Sequence, residues 1–381
     1  MIMKKYFIIA VAALVASAAC TKNEVVNQTP DQAISFQVAK YVGKTRAGES
    51  LFPQDSTFKT SSWFHENATA TAQSFMDGET IKWQSTTTSW ASDRAYFWPK
   101  TGWINFYSWT GYPQPSSVAE NRIQYNNVVI DTTANPMVAS AALRYAKNEN
   151  VYNGDDYKYS GTDVEGVPTL FHHLLAQVNI IVKFDASDVN DTDYKWDLTI
   201  DADTLTFANT GSLDIVFADT IATKNQTWPF ITTGYHWTPS STASNINLVG
   251  KDNLTADNKQ TTQAPNVSAG KKLFNYISVM PQDLTATGSA AKFSIKYTLT
   301  SYYQNTQHIR ETVVLGGDNA IALTNFKYDV SGTPTSIDQW NMNYRYTYIL
   351  TIKPNKTVTF DPVVEQWVDE PNQPGYTYPN E

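Results

Sequence analysis

Apolar and polar positions along this chain alternate in short runs and rarely form helical stripes. Residues 33–41 (AISFQVAKY) put Ile34, Phe36 and Val38 on one face and Ser35, Gln37 and Ala39 on the other, the period-two pattern of a half-buried strand. Further strand-like runs are predicted at 95–98, 104–109, 123–130, 196–200, 213–217, 274–280, 293–303, 309–315 and 344–353. Residues 169–184 read as a turn into a strand, with Val178, Ile180, Val182 and Phe184 alternating in the later half. Two last strand pieces, 357–360 and 363–367, follow a Pro354-Asn355-Lys356 turn. Gly, Pro and Asn punctuate these runs, as at Pro99, Gly102, Gly111, Pro113 and the 316–319 turn. Residues 137–147 (MVASAALRYAK) are the best helical candidate, with an extended reading of the first five left open. Many short strands and hardly any amphipathic helix predict an all-β protein of two antiparallel β-sandwiches. A length of 381 residues suits two domains, and the boundary is placed at 175–185.

The first 20 residues follow a different pattern. Lys4 and Lys5 precede an apolar run at 6–19 (YFIIAVAALVASAA), too short to span a bilayer and of the length of a signal-peptide core. The run ends in Ser17-Ala18-Ala19 before Cys20, the only cysteine of the chain, and the arrangement resembles a lipobox, with Ser17 where Leu is usual. Residues 1–19 are therefore read as a removed signal peptide and Cys20 as a lipidated N-terminus anchored by acyl chains such as palmitate; plain secretory cleavage is the alternative. Residues 21–33 are polar, a tether ahead of the first strand. Residues 43–48 (GKTRAG), just after that strand, form a Gly-flanked basic loop, the kind of place where proteolysis concentrates.

Composition narrows the function classes. The chain has 28 basic against 36 acidic residues, a net charge of −8, with no basic stripe to neutralise phosphates, so nucleic-acid binding is disfavoured. One cysteine excludes an internal disulfide framework, a multi-cysteine zinc site and CxxC redox chemistry. His172 and His173 are adjacent, so on a strand they face opposite ways and cannot share a metal; His65, His236 and His308 stand alone. No nucleophile elbow, HExxH or glycine-rich phosphate loop occurs, and Asp155/Asp156, Asp201/Asp203 and Asp369/Glu370 sit in polar, turn-like contexts. No catalytic residues, cofactor or metal are assigned, and the chain is not read as an enzyme. Trp63, Trp83, Trp90, Trp98, Trp103 and Trp109 crowd one stretch, either as sandwich core or as an exposed platform for glycans.

Four features in order resemble the fimbrillins, type V pilins of Gram-negative anaerobes: Cys20 with its tether; the 33–41 strand ending at Thr45-Arg46-Ala47-Gly48; the block 95–110 (AYFWPKTGWINFYSWT) with the later FHHLLAQVNIIVKF; and the tail 340–370, with YRYTYILTI and VTFDPVVEQW. The resemblance runs from signal to C-terminus. It implies two tandem transthyretin-like domains, here 47–180 and 181–381, after a signal peptide (1–19) and a lipidated tether with first strand (20–46). It also implies export to the outer membrane as a lipoprotein and cleavage between Arg46 and Ala47 by a trypsin-like, Arg-specific protease. The residues alone favour an ordinary surface arginine at Arg46; the resemblance makes it a processing site. Cleavage would remove the strand bearing Ile34, Phe36 and Val38 and open a groove for a strand from another fimbrial subunit. The candidate donor region is Val358, Phe360, Val363, Val364 and Trp367. The expected role is a structural subunit or adhesin of cell-surface fimbriae, with host or bacterial glycans or proteins as adhesion partners; the alternative is a non-polymerising surface lipoprotein that binds glycans through exposed aromatics. Asp131-Thr-Thr, Asp203-Thr-Leu and Asp219-Thr-Ile are similar to the short O-glycosylation pattern of such bacteria.

Overall fold

The computed structural model describes residues 33–40, 50–99, 102–143, 166–217, 235–247, 259–274, 276–286, 291–324, 326–330, 333–354 and 358–366. Apart from a single 3-10 turn at Gly317–Asn319, the regular elements among them are strands, and most pairings are antiparallel.

Seven strands close the first sheet on itself. In order they are Val167–His173, Met137–Leu143, Trp103–Thr110, Thr57–His65, Gln73–Gln84, Ser89–Ser92 and Phe36–Lys40, and the last pairs back on Val167–His173 in parallel. Ser50–Leu51 adds a short antiparallel pairing to Phe36–Lys40. One face of these strands supplies a core of Ile34, Phe36, Phe58, Ile81, Trp90, Phe106 and Phe171, among others.

Trp103–Thr110 is buried on both faces, and Trp103, Ile104, Phe106, Tyr107 and Trp109 make five of its eight residues large and apolar or aromatic. Ile104 and Phe106 point into the first core; Tyr107 and Trp109 point into a second, with Ile123, Tyr125, Leu213 and Ile215. That second core is covered by the sheet Tyr235–Pro239, Thr210–Val216, Arg122–Val129, Ser117–Ala119. Two of its strands come from beyond residue 200. Thr210–Val216 thus crosses back to pair with Arg122–Val129, from Thr210↔Val129 to Val216↔Arg122.

Residues 137–147, the helical candidate, instead begin as the strand Met137–Leu143 between Trp103–Thr110 and Val167–His173. Met137 and Ala139 enter one core and Val138 the other, so burial selects a period of two over the helix propensity of Met, Ala and Leu.

The third core begins where the chain passes through the buried Leu174 and Leu175 into Ala176–Phe184. This strand pairs in parallel with Tyr344–Ile352, from Gln177↔Arg345 to Phe184↔Ile352, and Val358–Gln366 lies outside it. Val178, Ile180, Val182 and Phe184 share a core with Leu198 and Ile200 of Tyr194–Phe207 and with Phe293, Ile295 and Leu299 of Lys292–Tyr303. The two tail pieces expected at 357–360 and 363–367 run as one strand, Val358–Gln366, with Pro362 opposite Tyr348. A proline has no amide to donate and suits an edge, which is where this strand lies.

Candidate functional site

The Phe36–Lys40 strand and the groove around it form the candidate site. Ile34, Phe36 and Val38 are 5%, 3% and 8% exposed, so the alternation read from the sequence corresponds to burial of that whole face. The Phe36 ring meets Phe58 and Phe106 edge-on, each at 5.7 Å between centroids. Phe171 closes the floor, 5.3 Å from Phe58 and 5.2 Å from Phe52.

Backbone pairing holds both sides of the strand. On one side Phe36↔Val167 through Lys40↔Phe171 run in parallel, and the Val167 amide donates to the Ser35 carbonyl at 2.7 Å. On the other, Phe36 faces Trp90, Ala39 faces Leu51, and the Ile34 amide donates to the Tyr96 carbonyl at 2.7 Å. Tyr96 is itself fixed, its phenol donating to the Glu79 carboxylate; burial and that anion raise its pKa to about 12. Without Phe36–Lys40 the ring of strands would lie open, with unpaired edges facing each other across a floor of aromatic side chains.

Cys20, Arg46, Ala47 and Trp367 lie outside the described residues, as does the 43–48 loop. Val358, Phe360, Val363 and Val364 all lie in Val358–Gln366, paired residue for residue with Tyr344–Ile352 of the same chain. Val358 and Val364 pack against the third core, whereas Val363 is 44% exposed on the opposite face.

Other candidates from the sequence sort by burial. Trp90, Trp98, Trp103 and Trp109 are buried and Trp63 and Trp83 half-buried against the first two cores, so this stretch is core and offers no open stacking platform. His172 and His173 are both buried in Val167–His173; desolvation, with His173 alongside, pushes the His172 pKa down to about 3. His65 stacks on Trp103 at 4.7 Å with its Nε2 3.2 Å from Glu120. No three His, Cys, Asp or Glu side chains gather as a metal site among the described residues. Asp203 is buried in Tyr194–Phe207, whereas Asp131 accepts from the Thr133 amide and hydroxyl in an exposed turn. Asp155, Asp156, Asp219, Asp369 and Glu370 lie outside the described residues. The sequence reading missed the partner strand Val167–His173, some 130 residues away; its run VPTLFHH carries no alternation that announces a buried interior strand.

No protein-family model matches the chain, and no curated protein matches it. Solved structures similar to it include a fimbrial protein from Bacteroides vulgatus, at 16% identity and a TM-score of 0.44, covering 88% of this chain and 99% of that one. The tip fimbrial protein Mfa3 from Porphyromonas gingivalis, with a C-terminal truncation, is similar at 12% identity and a TM-score of 0.33, covering 82% and 95%. Others are described as candidate cell adhesion proteins of Bacteroides and Parabacteroides species. At such identities these are proteins the chain is similar to, and its function has to be derived from its own residues.

Proposed function

We propose that this chain is a subunit or adhesin of cell-surface fimbriae, exported as a lipoprotein through Cys20, cut after Arg46 and assembled by β-strand exchange. The observation that carries the reading is the position of Phe36–Lys40. It is the strand that closes the first ring, its apolar face lies in the core, and it precedes the Arg46 loop in sequence. Cleavage there frees residues 20–46 from the remaining 335 and leaves a groove whose open edges pair with an incoming strand. The net charge goes to −12 in the process, since four basic and two acidic residues depart from a precursor at −10. No cofactor is needed; the drive is apolar burial at roughly 25 cal/mol per Å² together with ladder hydrogen bonds.

In this reading the two bodies, 47–180 and 181–381, are transthyretin-like, with Thr210–Val216 and Tyr235–Pro239 returning to cover the first. The partners are other fimbrial subunits, a trypsin-like protease and, before processing, the outer membrane. Limited trypsin digestion followed by N-terminal mapping and size-exclusion chromatography tests the reading. A single early cut giving Ala47 as the new N-terminus, with larger species appearing, is the expected result, and Arg46→Ala should abolish both. Assembly that proceeds unchanged in Arg46→Ala sinks the mechanism.

A further inference from the structure

A cleft of about 530 Å³ opens between the Tyr235–Pro239 strand, the Gln339–Trp340 segment and the start of Tyr344–Ile352. It shares only Val364 with the candidate donor region and nothing with the removable strand, so its ligand chemistry is independent of strand exchange. We infer that this cleft binds a short, uncharged glycan.

Its walls are the half-exposed rings of Trp237, Tyr328 and Tyr344. Such rings present a flat apolar face beside a polar tip, which matches a pyranose, whose C–H face is apolar and whose rim is hydroxylated. At the mouth stand the exposed amides of Gln339 and Asn341, each able to donate and accept as sugar hydroxyls require. Asp283 completes the polar set. Its Oδ1 accepts from the Thr285 amide at 2.7 Å and hydroxyl at 2.6 Å, which hold the carboxyl below its usual range. The ionised group then has its second oxygen to accept from a ligand hydroxyl.

The base of the cleft is fixed before any ligand arrives. Trp340 Nε1 donates to the Tyr348 hydroxyl at 3.1 Å, and the Asn341 amide donates to the Tyr346 hydroxyl at 2.8 Å. Gln282 bridges Ala208 through both ends of its amide. A rigid site loses less entropy on binding. The volume lies in the range of small-ligand pockets, roughly 300–1,000 Å³. Among the described residues no Lys, Arg or His lines the cleft and Asp283 is its one charged residue, so phosphates, sialic acids and uronic acids meet repulsion with no cation to offset it.

The test is saturation-transfer NMR and calorimetry on the purified protein with a panel of neutral disaccharides (lactose, maltose, cellobiose and N,N′-diacetylchitobiose). Sialyllactose and choline serve as charged probes. At least one neutral disaccharide should bind saturably, and the double variant Gln339→Ala/Asn341→Ala should weaken it about tenfold or more. Both residues are exposed, so the fold should persist, which far-UV circular dichroism checks. Absence of saturable binding by the whole panel overturns the inference, including the case where residues 367–381 fill the cleft. So does binding that the double variant leaves unchanged, or a preference for sialyllactose or choline.

Discussion

Truncation of Phe36 to alanine separates a removable strand from an integral one. The Phe36 side chain is 3% exposed and lies edge-on against two other rings, so its loss leaves a cavity in a core of large aromatics that cannot easily collapse. Phe→Ala at such a site costs about 3–5 kcal/mol. If Phe36–Lys40 detaches as a unit, that loss is felt by opening of this strand and not by unfolding of the sheet.

The amides that report opening are the one on Val167, bonded to Ser35, and the one on Ile34, bonded to Tyr96. At about 1.4 kcal/mol per tenfold, their hydrogen exchange should accelerate by about two to three and a half orders of magnitude. Amides linking Trp103–Thr110 to Thr57–His65, at the far side of the ring, should change by less than about threefold. Exchange followed by mass spectrometry over peptides spanning 33–41, 102–110 and 166–173 reads all three. Equal acceleration throughout the ring would mean that the first strand unfolds only with the rest, and the reasoning for a removable strand would fail.

Acid should destabilise the fold through His172. Its folded pKa of about 3 lies below the unfolded value of 6.5, so the native state binds fewer protons and the contribution is complete above pH 6.5. As pH falls from 6.5 towards 3 it is lost at up to about 1.4 kcal/mol per pH unit, and urea melts of His172→Gln should show a shallower decline over that window. Gly111 sits at φ +79° with an added Cβ falling 1.9 Å from the Asn135 carbonyl oxygen, so Gly111→Ala should cost about 2 kcal/mol or more in a thermal melt. An unaltered melting temperature would refute the close approach.

The sequence showed most plainly those elements whose burial is one-sided. Ile34, Phe36 and Val38 alternate with less apolar neighbours because one face of their strand meets the core. The strand Met137–Leu143 was obscured because Met137 and Ala139 enter one core and Val138 another, which erases polar alternation and leaves a helix-like composition. For the tryptophan stretch the sequence favours core over platform, and the burial of Trp90, Trp98, Trp103 and Trp109 agrees. The parallel pairing of Phe36–Lys40 with Val167–His173 depends on contacts across some 130 residues, and the cleft draws its walls from segments scattered between Trp237 and Val364. Neither has a local signature.

The first and last strands are held in opposite ways, and that contrast yields a second test of exchange. Phe36–Lys40 is paired on both sides, so its departure opens the ring; Val358–Gln366 is paired on one side, so its departure uncovers a single edge of Tyr344–Ile352. Under the proposed exchange, a strand entering the groove must present apolar side chains at alternate positions to Phe58, Phe106 and Phe171. In Val358–Gln366 the inward set includes Val358 and Val364, while Thr359, Asp361 and Val363 are exposed. A strand period of two keeps these sets apart in any host sheet, because a slip by one residue would drive Asp361 into an aromatic core. In protein cut after Arg46, Val363→Asp should therefore leave assembly close to normal, whereas Val364→Asp should abolish it. The monomer alone distinguishes folding from assembly: Val363→Ala should change stability by less than about 0.5 kcal/mol and Val364→Ala by roughly 1 kcal/mol. Assembly by light scattering that Val364→Asp leaves unchanged, with a folded monomer, would remove Val358–Gln366 from consideration as the donor.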